Sequence, residues 1–317
     1  MRIVREASQA SGESSAVAIG VFDGLHLGHQ KVLERLTRLA SRHRVRSTVV
    51  TFDPHPATIL APERAPLQIA TIAQRLEGLE RLGIEQVRIL DFDEQLARES
   101  AASFVERVLV AELKVRHIVV GEDFHFGHNR EGDVEFLARE GARRGFDVQP
   151  APIFGDAHRW SSTSVRQFLQ ASDLERATQT LGRPFTLRAT VVHGDARGRE
   201  LGYPTANLKV QSRQILPGLG IYAGAVRTKD AKWWPGAVSV GTRPQFYDDG
   251  SVLVEVHIPG FAGDLYDQEI DLAFLRHLRG ELVFAGVTEL VAQIERDVEQ
   301  SAAIFENFTP ERYVLIR

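Results

Sequence analysis

The chain has 317 residues, which predicts two domains of roughly 130 to 180 residues each, since single compact cores rarely grow to the full length. Hydrophobic residues make up 43% of the chain and charged residues 25%, a balance that is typical of globular proteins and argues against global disorder. The net charge of -4 provides no broad positive field for a nucleic acid, and the absence of cysteine excludes disulfides and thiolate chemistry.

The N-terminal segment is polar. Its first 15 residues, MRIVREASQASGESS, lack the apolar stretch of a signal peptide, and the apolar run AVAIGVF is too short to cross a bilayer. We therefore expect a cytoplasmic protein with neither a membrane nor a nucleic acid as partner. Self-association is not readable from the sequence.

Strands and helices alternate along the first half of the chain. Residues 16–22 read as a strand, and a helix with one apolar face extends from the following glycine-rich turn to about residue 43. The next predicted elements are strands at 47–52, 87–90, 117–120 and 147–154, and helices at 71–82, 100–113 and 133–144. This alternation predicts an α/β, Rossmann-like domain built on a parallel sheet.

The pattern changes after two short predicted helices at 164–181. Short strands separated by glycine and proline are predicted at 187–193, 221–226, 237–240, 252–258 and 269–274. Such a series is typical of a small antiparallel β-barrel or β-sandwich, of which we expect the barrel. A final helix, at 288–307, keeps one apolar face and is expected to pack on the barrel. We place the domain boundary within LGRPF, giving domains 1–184 and 185–317.

Two histidines follow the first predicted strand. His26 and His29 are three residues apart, where the chain turns from Asp23-Gly24 into a helix. The pair could bind phosphate, bind a metal, or only cap and pack the helix, and no third metal ligand is evident. Free N–H groups at a helix start after a strand attract phosphate, so this placement favours a nucleotide site.

The surrounding motifs resemble a known family. HLGH at 26–29 is similar to the HxGH signature of nucleotidyltransferases, and GVFDGLHLGHQ resembles the bacterial bifunctional riboflavin kinase/FMN adenylyltransferase (FAD synthetase) family. Three further segments support the resemblance: TFDPHP at 51–56, GEDFHFGHNREG at 121–132 and SSTSVR at 161–166. All four lie at the carboxyl ends of predicted strands, where doubly wound sheets bind ligands.

The resemblance implies that the first domain transfers AMP from ATP to FMN. His26, His29 and Asn129 then take catalytic roles near the reacting phosphates, and Asp123, Phe124 and Asn129 line the flavin site. The residues implied to hold ATP and its phosphates are Gly20, Phe22, Gly24, Gly28, Ser162, Thr163 and Arg166. FMN already carries an ionised phosphate, so positioning and charge neutralisation suffice without a strong general base.

A second motif lies in the predicted barrel. The segment GDARGRELGYPTANL at 194–208 contains a glycine-rich loop, which alone is most often an ordinary barrel turn. The whole string resembles the riboflavin kinase signature, which implies ATP contacts from Gly198, Gly202 and Pro204. Thr205 and Asn207 offer neutral oxygens on one side of an extended chain, which suits Mg²⁺ bound together with phosphate.

Glu255 is our candidate for the kinase base. Other segments that match the family are PGLGIYAG, GTRP, VEVH and LRGELVF, although Gln245 follows GTRP where the family usually has threonine. A ribityl hydroxyl is a poor nucleophile without a proton acceptor, and Glu255 stands where the family places that base. No P-loop lysine exists, so Arg199 or Arg279 could help to meet the γ-phosphate charge, while His257 is expected to be structural.

The expected function is therefore synthesis of FAD from riboflavin. The expected small-molecule partners are riboflavin, ATP, FMN and FAD, with Mg²⁺ as cofactor. Two alternatives remain open at this point: a flavin-responsive binding protein with inactive sites, and an HxGH transferase for another acceptor joined to an unrelated barrel. The intact motifs argue against the first, and PTAN at 204–207 argues against the second.

Overall fold

The computed structural model describes residues 1–10, 12–155, 159–194, 197–242 and 252–310. These residues form two compact units. The first unit comprises residues 1–66 and 72–161, and the second comprises residues 67–71 and 162–317. Gln245 and the end of the GTRP segment lie outside the described residues.

A parallel sheet is the centre of the first unit. Its strands, in chain order, are β1 (Arg2–Val4), β2 (Ser15–Ile19), β3 (Arg46–Phe52), β4 (Gln86–Leu90), β5 (Val115–Gly121) and β6 (Asp147–Ala151). Their order across the described sheet is β1-β4-β3-β2-β5-β6, and all neighbouring pairs are parallel. The predicted parallel α/β fold is thus confirmed. β1 was not predicted, so the strand before the histidine pair is the second strand rather than the first.

Helices connect these strands. They are α1 (Leu27–His43), α2 (Ala57–Leu60), α3 (Ile72–Arg81), α4 (Glu94–Ala97), α5 (Ala101–Phe104), which continues as a π-helical segment (Val105–Glu112), and α6 (Val134–Arg144). Local sequence explains the ends of α6, because Asp133 accepts a hydrogen bond from the Phe136 N–H at 2.7 Å, and Gly145 ends the helix with a φ of 81°. Val17, Val50 and Ile118 from the central strands are fully buried and help form the core.

The second unit contains a closed antiparallel barrel. Its strands are β7 (Phe185–Val192), β8 (Thr205–Val210), β9 (Gly220–Arg227), β10 (Trp233–Thr242), β11 (Val252–His257) and β12 (Glu269–Arg279). In the described part of the chain they close in the order β10-β11-β8-β7-β12-β9. The barrel prediction is confirmed, and β8 includes Thr205, Ala206 and Asn207 of the PTAN segment.

Four helices accompany the barrel within the described residues: α7 (Ser162–Gln170), α8 (Leu174–Leu181), α9 (Arg197–Glu200) and α10 (Val287–Glu306). Val165 and Leu169 of α7 and Leu181 of α8 share one apolar core with barrel residues such as Phe185 and Phe274. The packing of α7 and α8 therefore belongs to the second unit. Helix α10 contacts β9, β10 and β12, as expected from its apolar face.

Candidate active sites

The turn between β2 and α1 has an unusual backbone. Phe22 adopts left-handed dihedral angles (φ 54°, ψ 32°), and Gly24 has a φ of 77° within a short 3₁₀ turn (Asp23–Leu25). Glycine tolerates the second conformation without a Cβ penalty, whereas Phe22 is held in the first by its burial. The turn brings the predicted residues Gly20, Phe22, Gly24, Gly28, His26 and His29 together at the carboxyl end of β2.

His26 caps helix α1. Its Nδ1 accepts a hydrogen bond from the backbone N–H of His29 at 3.3 Å. An accepting Nδ1 places the proton of the neutral ring on Nε2, which leaves Nε2–H as a donor. Capping and phosphate binding are therefore compatible in one side chain, because each uses a different ring nitrogen.

The imidazole of His29 stacks on that of His26, and Phe22 meets the His29 ring edge-on at 5.1 Å. Burial and the neighbouring His26 together lower the pKa of His29 well below its ordinary value. The His29 Nδ1 is buried and has no hydrogen-bond partner among the described residues. His29 is therefore a neutral imidazole at pH 7.

Gly28 is required by close packing. A Cβ at this position would lie 3.1 Å from the His26 ring and 3.3 Å from the carbonyl oxygen of Trp160. Any larger residue would push the capping imidazole away from its place. This contact gives a physical reason for glycine between the two histidines of the motif.

Arg75 lies at the same sheet edge and was not singled out in the sequence. This side chain of α3 is only 3% exposed, and its Nη1 donates to the Val21 carbonyl oxygen at 2.8 Å. Burial lowers the pKa of Arg75, while the carboxylates of Asp23 and Asp53 raise it. The buried guanidinium thus fixes the start of the turn. Sequence reasoning missed Arg75 because its contacts depend on α3 returning to this edge of the sheet.

The loop after β5 contains the three predicted flavin residues. Asp123 pairs with Arg159, and the ring of Phe124 stacks on that of Phe126 with 5.5 Å between centroids. Asn129 has a φ of 53°, and its Nδ2 donates to Nε2 of His128 at 3.0 Å. Asp123 therefore contacts a cation, and the Asn129 amide is held by its neighbour in the chain.

Ser162, Thr163 and Arg166 lie in the first two turns of α7, which belongs to the second unit. The Nε of Arg166 donates to the Leu67 carbonyl oxygen at 2.6 Å. Their assignment to ATP remains a prediction.

The second unit places Glu255 in a cavity of about 330 Å³. In the β-ladders Glu255 lies directly opposite Asn207 of β8 and Ser239 of β10. Side chains directly opposite one another project from the same face of a sheet, so these three polar groups are neighbours. Glu255, Ser239 and Thr205 line the cavity, and Ser239 was missed because its position depends on the pairing of β10 with β11.

The glycine-rich loop packs directly on the PTAN segment. A Cβ at Gly194 would lie only 2.2 Å from the Asn207 side chain, and one at Gly198 would lie 2.4 Å from the Tyr203 carbonyl oxygen. Gly202 has a φ of 85°, which closes the loop before Pro204. In the described ranges, no group of three or more His, Asp or Glu side chains is arranged to hold a metal ion. The neutral oxygens of Thr205 and Asn207 fit Mg²⁺ only together with phosphate and water ligands.

Helix α10 forms one wall of this cavity through Leu290, Ile294 and Val298. Arg279 of β12 also lines it, but its guanidinium is held by Asp297 of α10, with Nη2 and Oδ2 2.6 Å apart. Asp297 is 5% exposed, so this ion pair joins the helix to the barrel. The Arg279 side chain considered for phosphate binding is thus engaged in a structural contact.

Comparison with known proteins identifies the family. Residues 8–164 match the FAD synthetase family, and residues 181–305 match the riboflavin kinase family. Over 287 residues the chain is 42% identical to the bifunctional riboflavin kinase/FMN adenylyltransferase of Pseudomonas fluorescens, covering 90% of this chain and 91% of that protein. The chain belongs to the bifunctional riboflavin kinase/FMN adenylyltransferase family.

A second relative carries the same family name, and one solved structure is similar along nearly the whole chain. The family member of Escherichia coli (strain K12) is 37% identical over 298 residues, which cover 94% of this chain and 95% of that protein. The crystal structure of a macrolide-efflux protein from Streptococcus pneumoniae has a TM-score of 0.85 and 30% identity, covering 97% of this chain and 99% of that one. Across the part of the chain that the structure describes, no helix is long and apolar enough to span a membrane.

Membership in the bifunctional riboflavin kinase/FMN adenylyltransferase family confirms the expected enzyme class. The chain is a transferase that uses ATP and flavins, with a nucleotidyltransferase region followed by a kinase region. The two family matches leave residues 165–180, most of α7 and α8, between them. The boundary predicted after residue 184 remains a prediction.

Proposed function

We propose that this chain makes FAD from riboflavin in two steps, with the kinase reaction at the Glu255 cavity and the adenylyl transfer at the His26–His29 turn. The observation that carries the proposal is the position of Glu255, a carboxylate lining a cavity directly across the ladder from Asn207. A proton acceptor beside neutral oxygen ligands is the arrangement that phosphorylation of a hydroxyl needs.

In the proposed kinase step, Glu255 accepts the proton of the ribityl hydroxyl as that oxygen attacks the γ-phosphorus of ATP. ADP leaves, and FMN is formed. Thr205 and Asn207 would hold Mg²⁺, which supplies charge neutralisation at the phosphates. Gly198, Gly202 and Pro204 belong to the loop that we assign to ATP, since the lack of Cβ atoms lets backbone N–H groups approach phosphate closely.

In the proposed adenylyl transfer, a phosphate oxygen of FMN attacks the α-phosphorus of ATP, and pyrophosphate leaves. His26 donates from Nε2, and His29 offers a further imidazole N–H, so both bind developing negative charge without a proton transfer. We assign Ser162, Thr163 and Arg166 to the triphosphate, Asp123 and Phe124 to the flavin, and Asn129 to both phosphates and flavin. The N-terminal end of α1, where the helix dipole attracts negative charge, supports a phosphate site at this turn.

The test is a coupled assay with riboflavin, ATP and Mg²⁺, in which flavins are separated by chromatography. Appearance of FMN followed by FAD supports the proposal. Flavin binding without turnover would instead identify a binding protein, and FMN formation without FAD would remove the adenylyl transfer. Omission of Mg²⁺ in the presence of a chelator should abolish both steps.

A cytoplasmic location is also proposed. It is checked by assaying the two activities in the cytosolic fraction of cells.

A further inference from the structure

His257 makes a side-chain contact that reaches the PTAN segment. It lies two residues after Glu255 on the same face of β11, and it lines the same cavity. Its Nδ1 is 2.8 Å from the carbonyl oxygen of Pro204. Because a carbonyl oxygen can only accept, Nδ1 must carry the proton and donate it to this bond.

The bonded carbonyl lies just beyond the end of a strand pair. The ladder between β8 and β11 ends with Thr205 opposite His257, so Pro204 lies one residue outside the paired strands. Proline also lacks an N–H with which to continue the ladder. The His257 imidazole therefore extends the pairing by one hydrogen bond, from a side chain instead of the backbone.

The residue before Pro204 connects this bond to the glycine-rich loop. The Tyr203 N–H donates to the Gly198 carbonyl oxygen at 2.7 Å, and this bond closes the loop. The Tyr203 ring also meets the His257 ring edge-on, with 5.4 Å between centroids. His257 thus contacts both residues that lead from the loop into β8.

We propose that His257 is a positioning residue of the kinase reaction, which fixes Pro204 and thereby places the Thr205 oxygen and the loop amides for ATP. This inference rests on the proposed kinase function of the cavity. It assigns the effect to the N–H at Nδ1. A purely structural role, as expected from the sequence, would affect ATP and riboflavin alike. The positioning role predicts a loss of kcat/KM for ATP alone.

Two amide substitutions separate the two ring nitrogens. In His257→Asn the amide nitrogen is bonded to Cγ, as Nδ1 is, so a donor can still reach Pro204. In His257→Gln the amide lies one carbon further out, close to the place of Nε2. His257→Leu removes both polar atoms and keeps a comparable apolar volume. The Asn and Gln variants are therefore matched controls for each other.

The experiment measures FMN formation by the full chain at varied ATP and at varied riboflavin. For His257→Leu and His257→Gln, kcat/KM for ATP should fall about 10- to 100-fold. This is the usual scale for residues that hydrogen-bond to ligand-binding groups without contacting the ligand. The KM for riboflavin should stay within about twofold, and His257→Asn should recover most of the loss. FAD formation from supplied FMN checks only that the first unit is intact, so folding of the barrel is checked separately by thermal unfolding of each variant and by its KM for riboflavin.

Three results would overturn the inference: normal kinetics for the Leu variant, rescue by Gln instead of Asn, or an equal loss for ATP and riboflavin in all variants. If the barrel of His257→Leu does not fold, the comparison of His257→Asn with His257→Gln decides, because both conserve a polar side chain. If the unaltered chain forms no FMN at all, the proposed kinase function fails. If the unaltered chain is active and the Leu variant matches it, only the role of His257 fails.

Discussion

The rings of His26 and His29 are stacked with 3.6 Å between their centroids and 24° between their planes. Two protonated imidazoles at this distance would repel each other strongly. Burial and the adjacent His26 ring accordingly keep the pKa of His29 well below its ordinary value. The same burial that keeps His29 neutral as a hydrogen-bond donor also makes the stability of the first unit depend on pH.

We expect His29→Ala to reduce FAD formation from FMN by about 10² or more, the scale for loss of one donor to a transition state. FMN formation from riboflavin should persist, because we assign that step to the other site. The measurement is the rate of each reaction in the purified full-length variant.

His43→Ala is a matched control, since His43 lies at the other end of the same helix. It should leave FAD formation near normal. Stoichiometric zinc in the active protein, lost with activity on chelation and restored only by zinc, would contradict the phosphate assignment.

The lowered pKa of His29 predicts that the ligand-free first unit becomes less stable as the pH falls below about 6.5. The unfolded chain binds a proton on His29 in this range and the folded chain does not, so the free energy of unfolding rises with pH. The contribution has a maximum slope of about 1.4 kcal/mol per pH unit. His29→Gln should therefore flatten the pH dependence between about pH 7.5 and 5.5.

The measurement is urea unfolding followed by Trp160 fluorescence, with Trp233 and Trp234 replaced by phenylalanine so that only the first unit reports. His117 also has a lowered pKa from burial and from His43, and it remains in both proteins as a constant background. An identical slope in both proteins would refute the neutral state of His29.

Glu255→Gln keeps the size of the side chain but removes the proton acceptor. We expect FMN formation to fall by roughly 10² to 10⁴, the range for loss of a general base. ATP binding should survive, and FAD formation from supplied FMN should stay near normal. The two rates and the ATP dissociation constant are measured on the same preparation.

Glu299→Gln on the exposed face of α10 is the control for loss of one carboxylate in the second unit. It should change neither activity. Kinase activity of Glu255→Gln within about threefold of the unaltered chain would remove Glu255 from the mechanism.

The packing of α7 and α8 predicts which fragment folds best. A fragment of residues 162–317 keeps the buried Val165, Leu169, Leu174 and Leu181, whereas one of residues 186–317 loses all four together with Phe185. We expect both to make FMN if folded, with the shorter fragment lower in Tm by about 5 °C or more. Thermal unfolding and the FMN assay check this, and equal Tm values would support the boundary after residue 184.

Much of the fold follows from patterns in the sequence, because helices and strands alternate with clear apolar periodicity. β1 was missed, since three residues are too few to produce a periodic signal. The site was harder to predict. The motifs that we propose to bind phosphate are local in sequence, so the His26 turn and the PTAN segment could be singled out from the sequence alone. Ser239, Arg75 and the His257 bond to Pro204 depend on contacts between distant segments, which no local pattern encodes.

Arg279 is the converse case, a candidate from the sequence whose charge is paired with another side chain in the structure. Its charge and its place in a family motif made it a candidate for phosphate, but a buried carboxylate 18 residues further along the chain already holds it. Such a pairing depends on how α10 returns to the barrel. Residue type alone cannot predict which of several cations in a site is free for a ligand.

The short segment of residues 67–71 belongs to the second unit, although it is flanked on both sides by residues of the first. Gln68 pairs with Gln214 in a parallel bridge, and its carbonyl oxygen accepts the Ile215 N–H at 2.9 Å. During synthesis this partner emerges roughly 150 residues later, about 8 to 30 seconds after Gln68 at ordinary translation rates. The segment therefore lacks its partner while residues 72–213 are synthesised. The second unit is therefore completed by one of the earliest parts of the chain, and its assembly cannot finish in simple order from N-terminus to C-terminus.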